Sequence, residues 1–140
     1  MRTPLPSTHE GVRGLVAHTR RLPGLEGYLA RQSYRTRQLW DSLDTGIRAL
    51  APDVQAQMTK GRRRAGGISY ATPERRFFCT DFIEAGDGLS LSVFTDGQRW
   101  EGLNLARSEP WGYAVIRTEA DLPQALAWAK MAYEARKRVQ

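Results

Sequence analysis

The feature that most constrains this chain is a two-strand signature near its middle. Residues 76–84 read RFFCTDFIE, dense in aromatic and β-branched side chains. Ala85-Gly86-Asp87-Gly88 follows, and then Leu89, Leu91 and Val93 alternate with Ser90, Ser92 and Phe94. Such side chains suit a pleated surface, and a period of two gives a strand one buried face. Gly and Asp in the link tolerate the positive φ that hairpin turns require. A hairpin with one apolar face must cover that face with other elements of the chain.

The flanking sequence supplies those elements. Leu39, Trp40, Leu43, Ile47 and Leu50 recur at steps of one, three, four and three, which places them on one face of a helix over about Ser33 to Leu50. Pro52 stops it, lacking the amide hydrogen a helix needs. Upstream, Ser7-Thr8-His9-Glu10 has capping-box spacing, with Val12, Leu15, Val16 and Leu22 as a partial stripe ended by Pro23-Gly24. Leu25 to Ala30 adds a turn or two. Ile68 to Ala71 reads as a short strand before the Thr72-Pro73-Glu74 turn. After the Asp96-Gly97 turn, Arg99 to Leu105 continues the meander, Pro110-Trp111-Gly112 breaks it, and Tyr113 to Arg117 gives a last strand. Thr118-Glu119-Ala120-Asp121 opens a final helix with the stripe Leu122, Ala125, Leu126, Ala129, Ala132 and Tyr133. Arg136, Lys137 and Arg138 fall near its C-terminus, where the helix dipole favours cations.

The expected class is α+β: a mostly antiparallel sheet of about four strands, with N-terminal helices and a C-terminal helix packed on one face. Residues 1–35 form a helical extension and residues 36–140 the α+β domain, together one compact unit. A chain of 140 residues, 41% hydrophobic and 26% charged, is long enough to bury a core without disulfides or metals. The lone Cys79 allows no intramolecular disulfide. No apolar run approaches the length of a membrane span, and arginines interrupt every candidate signal segment. The expectation is a cytoplasmic protein with no membrane partner.

The search for catalytic chemistry returns little. No Gly-x-Ser-x-Gly elbow occurs, and His9 and His18 both lie far from Cys79 in the chain. One Cys and two His do not make a usual zinc site, so no metal ligands are assigned. Asp81 and Glu84 are three apart on a strand and point to opposite faces, and no Glu-x-Lys occurs for a Mg²⁺ nuclease core. Gly61 to Gly67 begins like a P-loop but has Gly67 and Ile68 where Lys and Ser/Thr are needed. No cofactor and no catalytic residue is expected.

Three longer stretches resemble a known family: QLWDSLDTGIRAL; ISYATPERRFFCTDFIEAGDGLSLSVF; and PWGYAVIRTEADLPQALAWAKMAYE. Together they resemble domain of unknown function family 5655 over about residues 39–136. The resemblance implies a small bacterial module, found alone or attached to restriction-type and nuclease-like proteins, with no established reaction.

Charge supplies the functional expectation. The net charge is +6, and residues 1–35 and 36–65 carry +4 and +3 of it, against −2 for residues 66–117 and +1 for residues 118–140. Basic segments attract polyanions. Lys60, Arg62, Arg63 and Arg64 in a Gly-flanked loop, with Arg20 and Arg21, are the candidate contacts to a phosphate backbone. Tyr70, Trp100 and Trp111 are the candidate aromatics for stacking or for lining a pocket. The leading expectation is a non-enzymatic accessory module that engages nucleic acid or another polyanion. The alternatives are a protein-interaction module docking a partner or a second copy through residues 25–35 and the C-terminal helix, and a small-ligand pocket lined by Phe78, Trp100 and Tyr113.

Overall fold

The computed structural model describes residue 22 and residues 24–59, 67–83, 86–105 and 110–139. Helix α1 (Leu25–Ala30) follows Gly24, and its Leu25 is fully buried. Helix α2 (Tyr34–Arg48) is capped by Ser33, whose Oγ accepts from the Thr36 amide at 3.1 Å, one of the amides a helix start leaves without a partner. Its inward face is the expected stripe of Leu39, Trp40, Leu43 and Ile47, joined by Thr36 and Asp44.

The sheet has six strands, all paired antiparallel, in the order β1-β2-β3-β4-β6-β5. They are β1 (Gln55–Thr59), β2 (Gly67–Ala71), β3 (Arg76–Phe82), β4 (Leu89–Phe94), β5 (Asn104–Leu105) and β6 (Trp111–Ile116). The class is α+β, but the expected four strands are two too few. Strand β1, QAQMT, lies at an edge, half-exposed, and has no apolar alternation to reveal it. The expected strand at Arg99–Leu105 shrinks to two residues, because a turn from Trp100 to Leu103 and a positive φ at Gly102 interrupt it. Strand β6 starts at Trp111, inside the expected break, and takes the place beside β4.

Register sorts the side chains. Ile68, Tyr70, Phe78, Thr80, Phe82, Leu89, Leu91, Val93 and Ile116 are buried on one side. The other side carries Ser69, Cys79, Asp81, Ser90, Ser92, Tyr113 and Val115. Opposite the Tyr70/Ala71 step, Phe77 is an extra residue in β3, a β-bulge. The bulge brings two neighbouring phenylalanines into the core: Phe78 packs edge-on against Tyr70 at 6.3 Å and Phe77 against Tyr133 at 5.5 Å.

Helix α3 (Leu122–Arg138) is entered through a short 3-10 turn, Glu119–Asp121. Asp121 accepts from the amides of Arg117 (2.8 Å) and Thr118 (3.2 Å), which hold its carboxyl below the usual range. Buried Ala125, Ala129, Ala132 and Ala135 let α3 lie close along β3 and β4, and it also packs against α2. Gly46 of α2 faces α3 there, since a Cβ at that position would collide with the Leu126 side chain. Leu22 and Leu25 join the same core. Among the described residues no helix is long and apolar enough to cross a membrane.

Two polar links fix α2 across the sheet. At its far end the fully buried Asp44 accepts from the Tyr70 hydroxyl at 2.7 Å and from Arg48 Nε at 3.0 and 3.1 Å. At its start the Gly88 amide donates to Thr36 Oγ1 at 3.0 Å, and the Ser33 hydroxyl donates to Asp87. Removing one partner of a buried charge costs more than the bond itself, so Tyr70→Phe is expected to lower stability by about 1–3 kcal/mol. Gly88 has φ 134°, and a Cβ there would stand 2.7 Å from the Ile116 carbonyl oxygen. Gly88→Ala is therefore expected to cost about 2 kcal/mol or more. For both variants urea unfolding at unchanged m-value is the measurement.

Candidate anion-binding surface

The strand register gives the sheet two distinct ends. Thr59, Gly67, Phe82, Leu89 and Ile116 are at one end; Ala71, Arg76, Phe94 and Trp111 are at the other. The links from Thr36 to Gly88 and from Ser33 to Asp87 put the start of α2 at the first end. Arg117 is there too, with Nη1 donating to the Asp87 carbonyl at 2.7 Å.

The start of α2 is basic and aromatic. Tyr34 is 66% exposed, and the Arg37 guanidinium stands 6.0 Å from its ring. Arg31 stands 5.5 Å from the ring of Tyr28, and Arg31, Arg35 and Arg37 are all exposed. The first turn of α2 holds no acidic residue. Cations there oppose the positive end of the helix dipole, at a cost of about 0.3–1 kcal/mol each. No described carboxylate forms an ion pair with Arg31, Arg35 or Arg37. The described ion pairs are Arg48–Asp44 and Lys137–Asp53. Asp41, one turn after Arg37, feels its charge, but burial dominates there and raises the carboxyl above its usual range.

Lys60, Arg62, Arg63, Arg64, Arg20 and Arg21 lie outside the described residues. Their chain neighbours are described. Thr59 pairs with Gly67, so the ends of the connection that carries Lys60 to Arg64 meet at the first end of the sheet. Gly67 is in one row with Asp81 and Ser90, two strand spacings or about 10 Å from β4 and the turn that holds the start of α2. Leu22, which follows Arg21, is buried.

Charge is divided in the same way. The described residues hold twelve Lys/Arg and twelve Asp/Glu, a net of zero. The remaining nine Lys/Arg and three Asp/Glu account for the whole +6. The basic excess therefore falls on residues other than the described ones.

The candidate aromatics separate. Tyr70 is fully buried, with its hydroxyl on Asp44, so it has no ring face to offer a base. That bond and burial both push its own hydroxyl well above the usual range, burial first. Trp100 is half-buried and lines a depression of about 470 Å³ with Arg99, Glu101, Leu103, Asn104 and Leu105. Phe78 and Tyr113 are not part of it. Phe78 is fully buried, and Tyr113, in register with Ser92 and Cys79, points to the opposite side of the sheet. The expected pocket between Phe78, Trp100 and Tyr113 is therefore not formed. Nor is Leu25 available to a docking partner, since the core already covers it.

Trp111 is half-buried at the second end, edge-on to Phe94 at 5.7 Å. Over Phe94, 3.6 Å from the ring centroid, lies the guanidinium of Arg136. By its place near the helix C-terminus Arg136 has only a helix-dipole role, yet the residue is 7% exposed. Its spacing held the signal: Ala125, Ala129, Ala132 and Arg136 follow at steps of four, three and four, on the buried stripe. Tyr34 and Arg31, Arg35 and Arg37 were missed because their significance lies in an exposure that periodicity does not report.

Among the described residues no three His, Cys, Asp or Glu stand together as a metal group would require. Cys79 is half-buried, and burial pushes its thiol from 9.0 up to about 11. No family model, no curated protein and no solved structure matches the chain.

A thiol that titrates near 11 is a poor nucleophile. Two units correspond to about a 100-fold smaller thiolate fraction, so labelling of native Cys79 at pH 8 is expected to be slower than in urea by at least about that factor. The native chain keeps this proton between pH 9 and 11 while the unfolded chain loses it. The stability contributed by Cys79 therefore falls as pH rises through that window, and Cys79→Ser abolishes that part of the slope.

Proposed function

We propose that this protein is a non-enzymatic binding module for a polyanion, with single-stranded nucleic acid as the ligand class. The observation that carries the reading is convergence at the first end of the sheet. The exposed Tyr34 with Arg31, Arg35 and Arg37 stands there. The ends of the connection that bears Lys60, Arg62, Arg63 and Arg64 meet there too. Exposed aromatic rings stack on bases without regard to sequence, and guanidinium groups take phosphate oxygens in pairs. Arg20 and Arg21 extend the same basic chain ahead of Leu22. A restriction- or defence-associated setting, implied by the resemblance to family 5655, belongs to the same proposal, as does a cytoplasmic location.

Fluorescence anisotropy with a single-stranded oligonucleotide, titrated with salt, tests this. Affinity is expected to fall steeply with salt, since each phosphate neutralised releases counterions. Arg35→Ala/Arg37→Ala and Arg62→Ala/Arg63→Ala/Arg64→Ala are each expected to weaken binding about tenfold or more and to flatten the salt slope. Tyr34→Ala is expected to weaken binding without changing that slope, because stacking adds about 1–3 kcal/mol and no charge. No binding at low salt, or binding indifferent to both arginine variants, overturns the reading.

A further inference from the structure

The second end of the sheet carries a different arrangement. Arg136 is 7% exposed, its Nε donates to the Arg76 carbonyl at 2.9 Å, and its guanidinium covers the Phe94 ring at 3.6 Å, with Trp111 at 6.0 Å. A guanidinium has five N–H donors. One is spent on Arg76, and no described carboxylate forms an ion pair with the remainder. Burying a cation without an opposite charge is costly, and stacking on an aromatic face offsets only part of that cost. The surroundings add to it. Burial and the charge of Arg75, with a smaller share from Arg76, depress the Arg136 pKa, and Asp96 pulls the other way without reaching an ion pair. Arg75 and Arg76 are themselves exposed. The bond from Arg136 to the Arg76 carbonyl sets the exposed Arg75-Arg76 segment beside a guanidinium that is held rigid, with the half-buried Trp111 at 6.0 Å.

We propose that Arg136, with Arg75 and Arg76, forms a phosphate-group receptor at this end of the sheet, separate from the basic surface at the start of α2. Stacking and the Arg76 carbonyl fix the plane of the Arg136 fork. A planar fork fixed in advance presents two parallel N–H donors to an oxyanion with little ordering cost. Arg75 and Arg76 supply the further charge that favours a dianionic phosphomonoester over a singly charged diester. The phosphate is either free or the terminal group of a strand held at the other end of the sheet. Only the second source rests on the polyanion reading.

Thermal unfolding in inorganic phosphate, against sodium chloride at equal ionic strength, tests the receptor itself. Phosphate is expected to raise Tm in a saturable way. Arg75→Ala/Arg76→Ala leaves the backbone carbonyls of both residues in place, so the fold is retained, and it is expected to weaken phosphate binding at least tenfold. Arg136→Lys keeps the charge but loses the fork, and is expected to abolish the phosphate response. Arg35→Ala/Arg37→Ala is expected to leave the response intact. Oligonucleotides with a 5′-phosphate and a 5′-hydroxyl separate the sources: a tenfold preference for the phosphate, lost in Arg75→Ala/Arg76→Ala, identifies a strand end. Equal binding of the two, with the inorganic phosphate response retained, identifies a free phosphate. A Tm in phosphate no higher than in chloride, or one unchanged by Arg75→Ala/Arg76→Ala, overturns the receptor whatever the oligonucleotides do. Loss of oligonucleotide binding alone overturns only the polyanion reading.

Discussion

A buried carboxylate sets the direction of the helix that carries the basic surface. Asp44 has no exposure and is held by Tyr70 from the sheet and by Arg48 from its own helix. In a low-dielectric interior such a charge is tolerated only where its partners stand correctly, so one angular setting of α2 is favoured over its neighbours. The second tether, from Gly88 to Thr36, fixes the other end of the helix. Between them they determine which end of the sheet receives Tyr34, Arg35 and Arg37. The route from sequence to surface thus runs through a polar contact inside the core.

What could be read in advance follows from what periodicity encodes. The β3–β4 hairpin was legible because Leu89, Leu91 and Val93 alternate and Gly86 and Gly88 mark the turn; both glycines have positive φ in the fold. Helix α2 was legible because its stripe is buried as spaced. Strand β1 was not, since an edge strand with glutamine at alternate positions presents no apolar face. The order of β6 and β5 was not, because a register of partners is set by pairing across the chain and not by local pattern. Candidate site residues fared by the same logic. Tyr70 looked like any strand aromatic, and only Asp44, 26 residues away, shows why it belongs in the interior. Arg136 looked like a helix-end cation until Phe94 was found beneath it.

Charge is unevenly shared along the chain. Within the described residues, charges of opposite sign balance. The basic excess is in segments joined to that scaffold at points such as Thr59 and Gly67, where strand pairing holds the chain. Those segments carry nine Lys/Arg against three Asp/Glu, so they hold the net positive charge of the chain. Arg136 is a cation built into the framework. A change there disturbs the packing over Phe94 as well as the local field.

The single extra residue in β3 has an effect beyond packing two phenylalanines. With Phe77 unpaired, Ala71 faces Arg76; in an unbroken ladder Arg76 would fall one place further, in phase with Tyr70 and Phe78, and point toward the helices. The insertion shifts the phase of the strand at that point, so Arg76 lies on the side of Cys79, close enough to influence its thiol. One residue more or fewer decides whether this arginine meets water or hydrocarbon. The count of residues in the strand, as much as their identity, governs the chemistry displayed at that rim.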